Sequence, residues 1–199
     1  MTMQAVDTQL LLLINQGTAN ALFDLLMTKL TSHGYLLAFL FVLGLLIRGI
    51  VVKSPEKRKY LTITVWAIVI AWVSLFCAEW LEKTLKVMIA RERPCRVIEG
   101  IRLIVKCPGS FSMPSGHATS SFSFSLPLFY LTRDYLALKW RLFPVILASL
   151  IAFSRLYLGV HYPTDVLAGA VLGALIGLAF SMLYEVIYTK GFLKQLMKS

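Results

Sequence analysis

The chain has 199 residues, a one-domain length, of which 58% are hydrophobic and only 15% charged, and its mean hydropathy is +0.74. That exceeds what a soluble core needs, so a soluble globular protein is excluded and a membrane protein is expected. The net charge of +10 is carried by cations dispersed between long apolar runs, not by a basic stripe with interleaved aromatics, which argues against nucleic acid and for anionic lipid or an anionic substrate.

Two short apolar patches come first, Ala5–Ile14 and Ala21–Leu30, separated by the turn-like NQGTAN. As helix each is only about 15 Å long, so both are predicted as interfacial helices within residues 1–33, with one bent sixth span as the alternative. Five apolar stretches of spanning length follow: Gly34–Val52, Tyr60–Ala78, a more polar Ala118–Thr132, Leu142–Leu158 and Pro163–Tyr188. The expected fold is an all-α membrane bundle, one domain over 1–199. The short loops Lys53–Lys59 and Arg133–Arg141 and the tail after Lys190 are basic. With Arg48 they hold eleven of the 20 Lys and Arg, against nine elsewhere, and the positive-inside rule places them in the cytoplasm. Trp80 and Trp140 then fall at opposite ends of spans, as interfacial anchors. Gly169, Gly173 and Gly177 in the last span form a ridge for close helix approach. It suits either a dimer or packing within the chain, and the second is expected because Asp165 on that helix must be held near His161; no oligomer is required.

The connection 79–117 lies outside on this reading, yet it is cationic, against the orientation rule. Its first part, KTLKVMIARERP (Lys83–Pro94), places Lys86 and Arg93 two turns apart, on one face if the helix continues, with Arg93 a helix end before Pro94. A cation cluster favoured by a helix C-terminus explains this stretch equally well by itself. Further on, FSMPSGHATSS (Phe111–Ser121) makes a turn at Pro114-Ser115-Gly116, with Ser115 an N-cap, His117 in the first helical turn, and free backbone N–H groups suited to an anion. Last, SRLYLGVHYPTD (Ser154–Asp165) sets Arg155 at the end of a span, His161 in the loop after it, and Asp165 in the first turn of a helix that Pro163 can start. An Asp four residues after a His can hold Nδ1–H and leave Nε2 free to attack. A snorkelling Arg and an Asp favoured by a helix dipole would look the same in isolation.

Topology couples the three stretches. Two crossings separate the first pair from the third, so all emerge on one membrane face in either orientation. Lys86, Arg93, Ser115, His117, Arg155, His161 and Asp165 can then converge as a site for a phosphate and its transition state.

The three stretches resemble, without departure, the signature motifs of the type-2 phosphatidic acid phosphatase superfamily: Lys, six residues, Arg-Pro; Pro-Ser-Gly-His; and Ser-Arg, five residues, His, three residues, Asp. Eleven specified positions in order carry the resemblance, over Lys86–Asp165. It implies a helical enzyme that removes phosphate from lipid phosphates or pyrophosphates without a metal or other cofactor. His161 would be the nucleophile and form a phosphohistidine, Asp165 would orient it, and His117 would be the general acid. Lys86, Arg93, Ser115, Gly116 and Arg155 would bind phosphate. Transfer of the phosphate to another lipid is the principal alternative, and a non-catalytic lipid-binding or transport protein the alternative of another class. The expected setting is a bacterial inner membrane with the site on the periplasmic side. Cys95 and Cys107, both in the outer loop, are the candidate disulfide, with two unbonded thiols as the alternative; Cys77, inside a span, is expected to be free.

Overall fold

The computed structural model describes residues 2–51, 53, 55–189 and 191; most of the basic tail after Lys190 lies outside the described residues. Seven helices follow in order: α1 (Met3–Gly17), α2 (Ala21–Val51), α3 (Lys57–Ile89), α4 (Pro94–Val97), α5 (Gly116–Leu131), α6 (Leu138–Tyr157) and α7 (Pro163–Thr189). The protein is an all-helical membrane bundle. Among the described residues, four stretches are long and apolar enough to cross a bilayer: Ala21–Val51, Lys57–Val97, Leu138–Tyr157 and Pro163–Tyr188. Their outer faces expose large apolar side chains such as Phe39, Phe76, Leu167 and Leu175, a surface suited to lipid rather than water.

Two expected boundaries differ. The second N-terminal patch is not a separate interfacial helix; it is the first part of the 31-residue α2, because nothing in Thr31-Ser32-His33-Gly34 breaks a helix whose Ser32 hydroxyl donates to its own Thr28 carbonyl. The outer connection likewise begins later than residue 79, since α3 runs for 33 residues to Ile89, about 50 Å, and so projects beyond the apolar layer.

The third expected span, α5, has 16 residues, about 24 Å of helix, and lies at the centre of the bundle against α3, α6 and α7. Its Ser120, Ser121, Ser123 and Ser125 are buried, and the small side chains let neighbouring backbones come close. The glycine ridge of α7 meets it directly. A Cβ on Gly169 would stand 2.5 Å from the Ser115 carbonyl oxygen, and one on Gly173 2.2 Å from that of Thr119. The ridge therefore serves packing within the chain.

Helix α1 is held by polar contacts as well as by Leu11. Its buried Asn15 donates from Nδ2 to the carbonyls of Arg102 and Tyr157, 2.8 Å each, and accepts from the Arg102 N–H at 2.9 Å. One amide thus joins α1, the loop between α4 and α5, and the end of α6. Cys95 and Cys107 are bonded, with Cα atoms 6.0 Å apart, and Cys77 is free.

Candidate active site

The three motifs meet where the connection between α3 and α5 closes over the ends of α3, α5 and α6. Helix α3 ends earlier than Pro94 suggests. Ala90 takes a left-handed conformation, φ 49°, and its N–H returns to the Lys86 carbonyl. Arg93 is therefore not on the helix face of Lys86. It N-caps the short α4, with Pro94 at the first helical position, and reaches the site from a loop. That loop is fixed by its own bonds: the Arg91 carbonyl accepts from the Ser112 N–H at 2.8 Å, and the Arg93 Nε donates to the Ser110 carbonyl at 2.8 Å. Motif two is tied to motif three in the same way, by the Ser115 N–H to the Asp165 carbonyl, 2.9 Å.

His161 is 2% exposed. Its Nε2 lies 2.9 Å from Arg93 Nη1, which also donates to the Val160 carbonyl at 2.9 Å, and its Nδ1 lies 3.6 Å from Asp165 Oδ2. Burial, with the nearby Arg93 and Arg155 charges, pushes the imidazole down to about 3 against the opposing pull of Asp165, so the ring is neutral near pH 7. An arginine cannot accept a proton, so the 2.9 Å contact with Nη1 fits a neutral ring whose Nε2 lone pair accepts and whose Nδ1–H faces Asp165. That is the tautomer a nucleophilic Nε2 requires.

Asp165, fully buried, accepts at Oδ2 from the Ser112 hydroxyl and from the Tyr162 N–H, the latter at 2.8 Å, and at Oδ1 from Arg91 at 2.7 Å. Ser115 caps α5 with no side-chain capping bond, and its Oγ is buried without a hydrogen-bond partner among the described protein atoms. Arg155 Nη1 donates to Thr31 Oγ1 at 2.6 Å, while its Nε, also buried, has no such partner. The His117 ring lies within electrostatic reach of Arg155, His161, Lys86 and Arg93, and 6.1 Å from the Tyr35 ring. Lys86 forms an ion pair with the buried Glu82, whose Oε1 would be 2.8 Å from a Cβ on Gly116, so any larger residue there would have to displace that carboxylate.

Five supporting residues had no assigned role from the sequence: Glu82, Ser112, Thr31 and the Asp7–Arg91 pair. Arg91 was visible only as one cation among several, and a lone Glu, Ser or Thr carries no spacing signal until the fold brings it to its partner.

Below the polar groups, α2, α3, α5 and α6 enclose an apolar cavity of about 220 Å³, lined by Tyr35, Phe39, Trp72, Phe124 and Leu147 among others. Ser120 and Ser121, one turn beyond His117, line its polar end. Oxyanion-binding groups around a neutral imidazole, set over a greasy cavity inside the bilayer, define an integral membrane enzyme of phosphoric ester chemistry.

The chain belongs to the PAP2 superfamily, whose profile matches residues 67–188. A lipid A 4'-phosphatase of Bacteroides thetaiotaomicron is 30% identical over 174 residues, 84% of this chain and 72% of the relative. A decaprenylphosphoryl-5-phosphoribose phosphatase of Mycobacterium tuberculosis is 32% identical over 125 residues, 63% of this chain and 61% of the relative. Among solved structures, LpxE of Aquifex aeolicus superposes with a TM-score of 0.63 at 25% identity, over 90% of this chain and 98% of that one. The protein is accordingly a phosphoric ester hydrolase of the membrane.

Proposed function

We propose that the protein hydrolyses the phosphomonoester or pyrophosphate of a lipid through a phosphohistidine on His161, with the site at the outer, periplasmic face of a bacterial inner membrane. The observation that carries this reading is the pair of buried polar atoms lacking partners among the described protein atoms, Ser115 Oγ and Arg155 Nε, in a site where Arg93 contacts Nε2 of the neutral His161 imidazole and Lys86 stands near His117. Buried polar atoms normally find partners, and the oxygens of a phosphate would supply them.

In this mechanism the phosphate displaces the Arg93 contact from Nε2. Lys86, Arg93, Arg155, Ser115 and the α5 N-terminus at Gly116 take its oxygens, the helix N–H groups being oriented for an anion. Nε2 attacks phosphorus as the lipid oxygen departs, and His117, which takes up a proton once the bound phosphate offsets the surrounding Arg155, Lys86 and Arg93 charges, passes it to the leaving alkoxide, a contribution of about 10²- to 10⁴-fold. Asp165 keeps the imidazole in register and favours the positive charge it acquires. His117, now neutral, activates the water that cleaves the P–N bond. The apolar cavity below His117 suits the lipid tail. The relatives act, by name, on lipid A and on a decaprenyl phosphosugar, and both names support a lipid phosphate as substrate here. The bonded Cys95–Cys107 pair in the outer loop supports an oxidising compartment.

The experiment is phosphate release from a panel of lipid phosphates and pyrophosphates in detergent, with and without EDTA, by wild type and His161→Ala. Turnover of at least one lipid that survives chelation and vanishes in the folded variant is expected, with a labelled, acid-sensitive phosphohistidine in the wild type. Full turnover by His161→Ala would end the mechanism. Transfer of label to an acceptor lipid in preference to water would reassign the enzyme as a phosphotransferase.

A further inference from the structure

The carboxylate that faces His161 does not stand alone. Arg91 places Nη1 2.7 Å from Asp165 Oδ1 and 2.7 Å from Thr164 Oγ1, and Nη2 2.6 Å from Asp7 Oδ2 and 2.7 Å from Gln4 Oε1. Asp7 closes the circuit, since its Oδ1 accepts from the Thr164 N–H at 3.0 Å and its Oδ2 from the Thr164 hydroxyl. Asp7 is 2% exposed and Asp165 fully buried, and the guanidinium carbon lies over the Tyr162 ring, 4.0 Å from its centre. One arginine is thus clamped between two buried carboxylates, one on α1 and one on α7. Such a fork has a single planar solution, which fixes the direction of the Asp165 carboxylate more tightly than one bond would.

We infer that Asp7 of α1, acting through Arg91, is a positioning residue for the reaction: it aims Asp165, and through it the His161 imidazole, at the phosphorus. The inference rests on His161 being the nucleophile. Chemistry gives it content. Without Asp7, Arg91 retains one carboxylate and is free to rotate toward it, carrying Oδ1 away from the plane in which Oδ2 meets Nδ1. Without Arg91, Asp7 and Asp165 become two carboxylates with no charge between them. In both cases the phosphate-binding groups Lys86, Arg155 and Ser115 are untouched, because none belongs to the circuit. The cost therefore falls on the chemical step and not on binding. The charged groups facing His161 on its other sides, Arg93 from the loop, Arg155 from α6 and His117 from α5, also stay in place.

The test is a kinetic comparison of wild type, Asp7→Asn, Thr164→Val and Asp165→Asn, with the double variant Asp7→Asn/Asp165→Asn, on whichever lipid the wild type hydrolyses. Asp7→Asn should lower kcat by about tenfold or more, the scale on which outer-sphere partners act. KM and the inhibition constant for vanadate should stay within about twofold of wild type, and burst-phase phosphohistidine formation should slow in step with kcat. In the Asp165→Asn background the same change should have almost no effect, since there is no carboxylate left to aim. Thr164→Val removes the hydroxyl's bonds to Asp7 and Arg91 while the Thr164 N–H still donates to Asp7 Oδ1, so it loosens the same circuit and gives a smaller loss of the same kind should Asp7→Asn not accumulate. Wild-type kcat in both Asp7→Asn and Thr164→Val, or a loss that persists undiminished in the Asp165→Asn background, would overturn the inference while leaving His161 as nucleophile. Turnover by His161→Ala would instead fail the mechanism itself.

Discussion

His161 shows how far one side chain's state follows from its surroundings. Its folded pKa, pushed down to about 3 by burial, lies well below the ordinary 6.5, so the unfolded chain binds a proton that the folded one refuses. The stability this group contributes is fully present above about pH 6.5 and is lost as the pH falls from there toward 3. Acidification from pH 7.5 to 4.5 should therefore lower the thermal midpoint of the wild type more than that of His161→Ala. Equal shifts in the two proteins would show that the ring protonates without penalty. The pairing of His161 with Asp165 was readable from the sequence because four residues across a helix start leave few geometries. The partner of Nε2 was not readable: Arg93 reaches it only because Ala90 turns the chain out of α3, and no residue near Ala90 signals a left-handed turn.

Among the elements, α5 and α7 decide where motif two stands relative to motif three. Their contact is backbone against backbone, so an added methyl has nowhere to go. Gly173→Ala would bring Cβ to 2.2 Å from the Thr119 carbonyl oxygen, and the helices must part, with a destabilisation of about 1–3 kcal/mol expected from overpacking. Gly44→Ala in α2 meets nothing within 4 Å and should be neutral or stabilising by up to about 1 kcal/mol through helix propensity. Thermal unfolding in detergent, read beside phosphate release, separates the two; a harmless Gly173→Ala would mean that α5 and α7 are not locked together. The ridge itself was plain in the sequence, since three glycines at four-residue spacing mark one helix face. Helix lengths were less plain. Hydropathy stops at Ala78, yet α3 continues through Glu82 and Lys86, because the ion pair between them lets a polar turn remain helical beyond the apolar layer.

For the molecule as a whole, the proposed orientation rests on charge bias, eleven cations against nine, and on the bonded Cys95–Cys107 pair. Single cysteines at the exposed positions Glu99 and Glu56, in a variant without native cysteines, should react differently with an impermeant thiol reagent on intact cells. Glu99→Cys should label and Glu56→Cys should not; the reverse would turn the site toward the cytoplasm. The bonds of α1 bear on how such a protein comes into being. Asn15 and Asp7 leave the ribosome first, but their partners Arg102, Tyr157 and Thr164 are made 87, 142 and 157 residues later. During synthesis α1 has nothing to dock on, and its buried polar groups must wait at the water interface until the start of α7 arrives. Helix α1 is thus made before the residues that hold it and fastened only after them, so its place beside Asp165 is settled late in synthesis.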